Sequence, residues 1–93
     1  MQIGICVIWL GIPGTFSLKE KRQICSSLFS RLKKNFNISM VEIGQQNSYR
    51  KSVIAVVTVN TEKAHLYSTL SKVVEFIKKD CRLNIENYTT EVL

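Results

Sequence analysis

The sequence has few of the residues from which metal sites, disulfide frameworks and catalytic centres are usually built. Its 93 residues include only three cysteines and one histidine. Cys6, Cys25 and Cys81 are odd in number and far apart, and no Cys-x-x-Cys or Cys/His cluster occurs. This usage argues against a zinc site or a disulfide framework and is typical of reduced thiols in a cytoplasmic protein. We therefore expect a cytoplasmic protein with no metal and no cofactor, in which Cys6 and Cys25 are small core residues.

Residue pairs suited to acid–base or nucleophilic catalysis are also missing. His65 falls in the first turn of a predicted helix, off its apolar face, without a serine, cysteine or carboxylate at motif spacing. Glu42, Glu86 and Glu91 are scattered along predicted strands. General acid–base catalysis needs such groups within hydrogen-bond reach of each other or of the substrate. We therefore predict that the protein is not an enzyme and has no catalytic residue.

Long apolar runs are absent as well. The longest, residues 3–10, is too short to span a bilayer, which needs about 20 residues. It also lacks the basic segment and small-residue cleavage site of a signal peptide. We expect no membrane partner, and we interpret this run as a buried strand.

Acidic residues are scarce, and the basic residues are concentrated. Thirteen lysines and arginines against seven aspartates and glutamates give a formal net charge of +6. Residues 19–34 contain six of these cations and one acidic residue, Glu20. The charge is therefore concentrated on one predicted helix. Such a balance favours an anionic partner, nucleic acid or a membrane surface, and of the two we expect nucleic acid.

Apolar periodicity predicts four strands and two helices in the order βαββαβ. The strands are expected at 2–11, 37–46, 49–60 and from 80–84 to near 93, with a turn at 47–48 and helices at 18–35 and 62–79. Asn60 or Thr61 is expected to cap the second helix. The order predicts one α+β domain, residues 1–93, with a ferredoxin-like fold: a four-stranded antiparallel sheet with two helices on one face.

The first strand is apolar on both faces. Apolar residues are therefore also expected on the sheet surface that the helices leave open. Ile5, Val7 and Trp9 alternate with the residues expected to face the helices. An apolar open face normally marks an interaction surface. We therefore expect a homo-oligomer with Ile5, Val7 and Trp9 in its interface.

The stretch from Gly11 to Arg22 carries the most specific local pattern. Pro13 and Gly14 interrupt regular structure, and Ser17 with Glu20 forms a capping box at the start of the first helix. A glycine turn that leads into a helix N-terminus can bind an anion. The alternative is an ordinary capped helix, in which Glu20 would compete with any anion.

The segments Ile12-Pro-Gly14 and Ser17-Leu-Lys-Glu-Lys-Arg22 resemble the YlxP-type family of small bacterial proteins, a domain of unknown function. Further matching positions are Phe36-Asn37 with Ser39, Val41-Glu42, Gln46 and Ala64-His65. The resemblance covers nearly the whole chain and implies a ferredoxin-like fold. It also implies a gene neighbourhood of translation and ribosome-maturation factors, and hence association with RNA or the ribosome.

In a βαββαβ sandwich, the start of the first helix, the second hairpin and the end of the second helix share one end of the molecule. This end, which we call the basic end, is predicted to gather Lys19, Lys21, Arg22, Arg50, Lys51, Lys78, Lys79 and Arg82, opposed only by Glu20 and Asp80. Lysine and arginine bind phosphates, while amides and aromatic rings contact bases. The predicted phosphate contacts are Lys19, Lys21, Arg22, Arg50 and Lys51, and the predicted base contacts are Gln46 and Tyr49.

Other interpretations remain open. The hairpin is equally compatible with a polar turn flanked by solvated charges. A self-associating structural or regulatory module would use the open sheet face and have no nucleic-acid role. An acylphosphatase-like enzyme shares this topology and would bind phosphate with Arg22, but the glycine-rich loop pattern of those enzymes is absent.

Overall fold

The chain folds into the six elements that its apolar periodicity predicts. A computed structural model describes residues 1–93. Its elements are β1 (Gln2–Gly11), α1 (Leu18–Asn35), β2 (Ser39–Gly44), β3 (Lys51–Asn60), α2 (Lys63–Lys78) and β4 (Asn84–Val92). The predicted βαββαβ order and ferredoxin-like α+β fold are confirmed. Neither helix combines the length and the hydropathy needed to cross a membrane.

The sheet has the strand order β2-β3-β1-β4, and every neighbouring pair is antiparallel. β1 and β3, which are apolar on both faces, occupy the centre, whereas the more polar β2 and β4 form the edges. In register, Val7 of β1 lies opposite Ala55 of β3 and Thr89 of β4. The most apolar strands are therefore the ones with the most neighbours, as burial on both faces requires.

The core lies between the sheet and the helices. Alternate residues of β1 and β3, among them Ile8 and Ile54, are fully buried with Leu28 of α1 and Val73 of α2. A Cβ at Gly4 would lie 3.1 Å from Leu70 and 3.3 Å from Leu66. The missing side chain thus lets α2 pack closely on β1. The prediction that Cys6 is a core residue is confirmed, while Cys25 is half-buried.

The capping box at the start of α1 is confirmed. Ser17 is the N-cap, and its Oγ accepts a hydrogen bond from the amide of Glu20 at 3.1 Å. The Glu20 carboxylate accepts a bond from the amide of Phe16 at 3.1 Å, one residue earlier than in the usual motif. The two bonds satisfy donors that a helix start leaves free, so α1 begins at the predicted residue.

Several predicted boundaries differ from the structure. On the hairpin side β2 ends two residues earlier and β3 begins two residues later than predicted, because the connection is longer: the amide of Ser48 donates to the carbonyl of Gln45 at 3.1 Å, which centres the turn on 46–47. The N-cap of α2 is Glu62, whose side chain makes no capping bond. Asn60, predicted as a cap, instead accepts a bond from the Glu62 amide at 3.0 Å.

Asp80 joins α1 to the segment that follows α2. Its carboxylate accepts bonds from Arg31 at 2.6 Å and from Arg82 at 2.7 and 2.9 Å, and its side chain is 6% exposed. Hydrogen bonds from Arg82 hold the pKa of Asp80 well below its ordinary value of 3.8. Asp80 is therefore a buried acceptor for two arginines, and not a free opposing charge at the surface.

Replacing Asp80 with asparagine is expected to lower the free energy of unfolding at neutral pH by about 2 kcal/mol. The folded-state pKa lies below the unfolded one, so the carboxylate stabilises the fold above its ordinary pKa. That contribution is lost as the pH falls from about 5 toward the folded-state pKa. Urea denaturation across this range should show a shallower loss of stability with falling pH for Asp80→Asn than for wild type. Equal pH dependence in the two proteins would contradict this role.

Candidate functional site

The structure brings together the loop that follows β1 and the β2–β3 hairpin. The amide of Ile12 donates to the carbonyl of Arg50 at 2.9 Å. The buried hydroxyl of Thr15 donates to the carbonyls of Ile12, at 2.9 Å, and of Tyr49. Loop 12–17 and hairpin 45–51 therefore form one hydrogen-bonded surface at the basic end, as the topology predicts.

Lys21 lies inside this end and does not face solvent. Its side chain is 2% exposed, and its ammonium donates to the carbonyls of Gln45 at 2.7 Å, Ser48 at 2.6 Å and Lys51 at 2.9 Å. The same nitrogen lies 2.9 Å from the carboxylate of Glu42. The prediction that Lys21 contacts phosphate is therefore corrected: every proton of its ammonium already has a protein acceptor nearby.

A signal for the inward direction of Lys21 was present in the sequence. Leu18, Lys21, Cys25, Leu28 and Leu32 recur at helical spacing and share one face of α1. The basic run around Lys21 concealed this position, because lysine is seldom buried without a partner. The partner, Glu42, comes from β2, and periodicity alone does not pair two elements.

The hairpin is shaped around the Lys21 ammonium. Gln45, whose carbonyl accepts one of the bonds from this ammonium, has a positive φ of 57°, which non-glycine residues rarely adopt. Glu42 also accepts a bond from the buried hydroxyl of Ser52. Gln46, a predicted base contact, is exposed, and its side-chain amide donates to the carbonyl of Glu42 at 3.2 Å. Its amide oxygen makes no hydrogen bond within the protein.

Acidic residues oppose more of the basic end than the sequence predicts. Besides Lys21, which pairs with Glu42, three of the predicted cations form ion pairs: Lys51 with Glu86, Lys78 with Glu75, and Arg82 with Asp80. The expectation that only Glu20 and Asp80 oppose this end is therefore wrong, because α2 contributes Glu75 and a bulge in β4 contributes Glu86. Four predicted cations form no ion pair: Lys19, Arg22, Arg50 and Lys79.

Arg50 lies between two aromatic rings. Its guanidinium carbon is 5.4 Å from the ring centroid of Phe16 and 5.5 Å from that of Tyr49. Its Nε donates to the carbonyl of Thr15 at 3.2 Å. Phe16 is 74% exposed and Tyr49 is 41% exposed, although both are large apolar rings. We call Phe16, Tyr49 and Arg50 the aromatic–arginine stack.

Phe16 is not among the residues that the sequence predicts for this site. A hydrophobic residue directly before an N-cap usually packs against the residue four positions after the cap, which here is Lys21. Because Lys21 turns inward to the hairpin carbonyls, Phe16 has no apolar partner on α1. A lysine at the position where an apolar residue normally packs was therefore the signal in the sequence that the Phe16 ring is exposed.

Lys19 and Arg22 lie beside a shallow groove on the outer face of α1. The groove has a volume of about 560 Å³ and no hydrophobic lining residue. Its lining residues are Lys19, Arg22, Gln23, Ser26, Ser27 and Ser30. Ammonium, guanidinium and hydroxyl groups are all donors, so this surface is chemically suited to phosphate oxygens.

The second candidate surface is the sheet face that the helices leave open, which we call the open face. Ile5, Val7 and Trp9 lie there, as predicted, and each is half-buried. In register beside them are Val53, Ala55 and Val57 of β3, with Val41 of β2. Val41 is more than half exposed. The open face is thus a continuous apolar surface across three strands.

Comparison with known proteins identifies relatives of this sequence. Residues 3–90 match the model of a family described as a protein of unknown function, DUF503. Over 61 residues the chain is 31% identical to the uncharacterized protein YlxP of Bacillus subtilis, strain 168. That match spans 66% of this chain and 66% of the relative.

Solved structures resemble the fold along nearly the whole chain. A structural-genomics protein, YJCS, superposes with a TM-score of 0.61 at 17% identity, covering 96% of each chain. The designed protein Foldit4 gives 0.56 at 9% identity, covering 100% of this chain and 97% of its own. SnoaB, a cofactor-independent oxygenase from Streptomyces nogalater, gives 0.52 at 6% identity, covering 98% and 90%. At these identities the likeness shows the fold alone.

Proposed function

Because this chain belongs to the DUF503 family of proteins of unknown function, we propose its function from its own surface: it binds RNA through the basic end. In this proposal the protein is a cytoplasmic, non-enzymatic accessory factor that associates with RNA or the ribosome during translation or ribosome maturation. The observation that carries the proposal is a set of three cations without an ion pair: Lys19 and Arg22 on α1, and Arg50 on the hairpin to which Lys21 of α1 is bonded. Gln46 and Tyr49 are its proposed base contacts.

The ion pairs narrow the predicted set of phosphate contacts. Lys21 is occupied by the hairpin carbonyls and Glu42, and Lys51 is neutralised by Glu86. The remaining three cations lie beside the hydroxyl-lined groove of α1 or in the aromatic–arginine stack. An exposed cation releases counterions from a phosphate without first breaking an internal pair. We therefore assign the phosphate contacts to Lys19, Arg22 and Arg50.

Removing two of these cations is expected to weaken RNA binding. The double variant Lys19→Ala/Arg22→Ala should bind RNA about tenfold more weakly than wild type, because two phosphate contacts are lost. Lys33→Ala/Lys34→Ala is the matched control, since it removes the same charge from the far end of the same helix. Filter binding measures both. Equal losses in the two variants, or no binding by wild type, would contradict the proposed site.

A second candidate function is self-association through the open face, supported by the continuous apolar surface around Val7. Two copies that meet face to face would form an isologous dimer and remove this surface from water. The open face and the basic end use different residues. Self-association and RNA binding are therefore separable by mutation.

The acylphosphatase-like alternative gains no support from the loop geometry. The carboxylate of Glu20 accepts a bond from the amide of Phe16, which precedes the N-cap of α1. A carboxylate therefore lies at this helix start, where its negative charge repels an anion. We do not assign Arg22 a catalytic role.

A further inference from the structure

We propose that the aromatic–arginine stack binds an unpaired nucleobase, so that the protein prefers single-stranded RNA to duplex. This inference rests on the proposed RNA-binding function and specifies the class of RNA. The site consists of Phe16, Tyr49 and Arg50, of which Phe16 carries the exposed ring surface.

Phe16 exposes a large aromatic ring at the basic end. A ring that is 74% exposed and lies over a guanidinium offers apolar surface that no part of this protein covers. Nucleobases stack on aromatic side chains and on the guanidinium plane of arginine, and each stacked base contributes about 1–3 kcal/mol. The ring is therefore a chemically matched platform for a base.

Hydrogen bonds hold the two segments that carry the aromatic–arginine stack. The amide of Phe16 is bonded to Glu20, and the guanidinium of Arg50 is bonded to the carbonyl of Thr15. Thr15 is buried and joins its own loop to the hairpin through Tyr49. The backbone at Phe16 and the guanidinium of Arg50 are thus held in place before any ligand arrives, which lowers the conformational entropy lost when a base binds.

The chemical surroundings favour a base over an apolar protein anchor. The hairpin beside the stack carries Gln45, Gln46 and Asn47, all exposed. Lys19, on the first turn of α1, is exposed and unpaired. Amides hydrogen-bond base edges and cations bind phosphates. In an RNA duplex the base faces are already stacked on one another, so only an unpaired strand presents a face to Phe16.

Fluorescence anisotropy with a labelled single strand of about ten nucleotides and with its duplex tests the inference. Wild type is expected to bind the single strand more tightly. Phe16→Leu should weaken single-strand binding about tenfold, because leucine keeps an apolar side chain but no π face, and should leave duplex binding unchanged. Tyr67→Leu is the matched control, since Tyr67 is an aromatic residue of α2 that is 51% exposed away from the stack.

The possible outcomes separate this inference from the proposed function. If wild type binds both RNAs equally, or if Phe16→Leu binds the single strand like wild type, base stacking is overturned while RNA binding stands. If wild type binds neither RNA, the proposed function fails as well. If adenosine monophosphate alone displaces the strand at equal concentration, the ligand is a free nucleotide. If Phe16→Leu instead loses a protein partner from ribonuclease-treated lysate, the stack is a protein contact. Either result overturns the proposal of a single-stranded RNA site.

Discussion

Replacing Lys21 with alanine is expected to lower the free energy of unfolding by about 3 kcal/mol, because it removes a buried ammonium and leaves its half-buried acceptors without a donor. The ammonium is bonded to three backbone carbonyls of the hairpin and paired with Glu42. Without it, these half-buried acceptors lose their donor, and the space that its side chain fills is left empty. The change is large against the roughly 5–15 kcal/mol that holds a domain of this kind folded.

Urea denaturation of Lys21→Ala and Lys19→Ala measures this effect. Lys19 is exposed, unpaired and two residues away on the same helix, so its removal should change stability by less than about 0.5 kcal/mol. Glu42→Gln is a milder probe of the same cluster, expected to cost about 1–2 kcal/mol, because the carbonyl acceptors of Lys21 remain. A Lys21→Ala protein as stable as wild type would contradict the structural role of Lys21.

Replacing Val7 with glutamate is expected to convert a self-associated protein to monomers. Val7 lies near the centre of the open face, with Ala55 on one side and Thr89 on the other. In a dimer of open faces, each new carboxylate would be buried without a partner. We expect the dissociation constant to rise at least about 100-fold, since such burial costs several kcal/mol.

Analytical ultracentrifugation of wild type and Val7→Glu measures the change in mass. Trp9, the single tryptophan of the chain, lies on the same face and reports association through its emission, which should shift to longer wavelength when wild type is diluted. Lys19→Ala/Arg22→Ala should keep the mass of wild type, because neither residue lies on the sheet. A wild-type protein that is monomeric at all concentrations would contradict self-association.

Local patterns predicted the secondary structure well where each element is determined by its own residues. β1 and α1 have the predicted bounds, because an apolar strand on both faces and a capping box are local signals. The hairpin and the start of α2 were predicted less well. Their ends depend on tertiary contacts, such as the bonds from Lys21 to the hairpin carbonyls and the turn that Asn60 makes with Glu62.

The location of the candidate site was predicted from the sequence, but the side chains that compose it were not. Chain topology placed loop 12–17 beside hairpin 45–51, and the structure shows them bonded. Which cations remain free depends on partners from distant elements, such as Glu86 of β4 for Lys51 and Glu42 of β2 for Lys21. A sequence without pairing information gives formal charges but does not show which of them are neutralised. Phe16 was missed for the same reason, because its exposure follows from the direction that Lys21 takes.

The salt dependence of RNA affinity tests the central claim most directly, because it counts the phosphates that the protein neutralises. Three free cations predict a slope of about −2 in a plot of log affinity against log salt concentration. Between about 50 and about 200 mM salt, wild type should therefore lose about 16-fold in affinity for a single strand. Lys19→Ala/Arg22→Ala should show a clearly shallower slope than wild type. A wild type whose affinity does not change with salt, or a slope that the double variant leaves unchanged, would contradict RNA binding through the basic end.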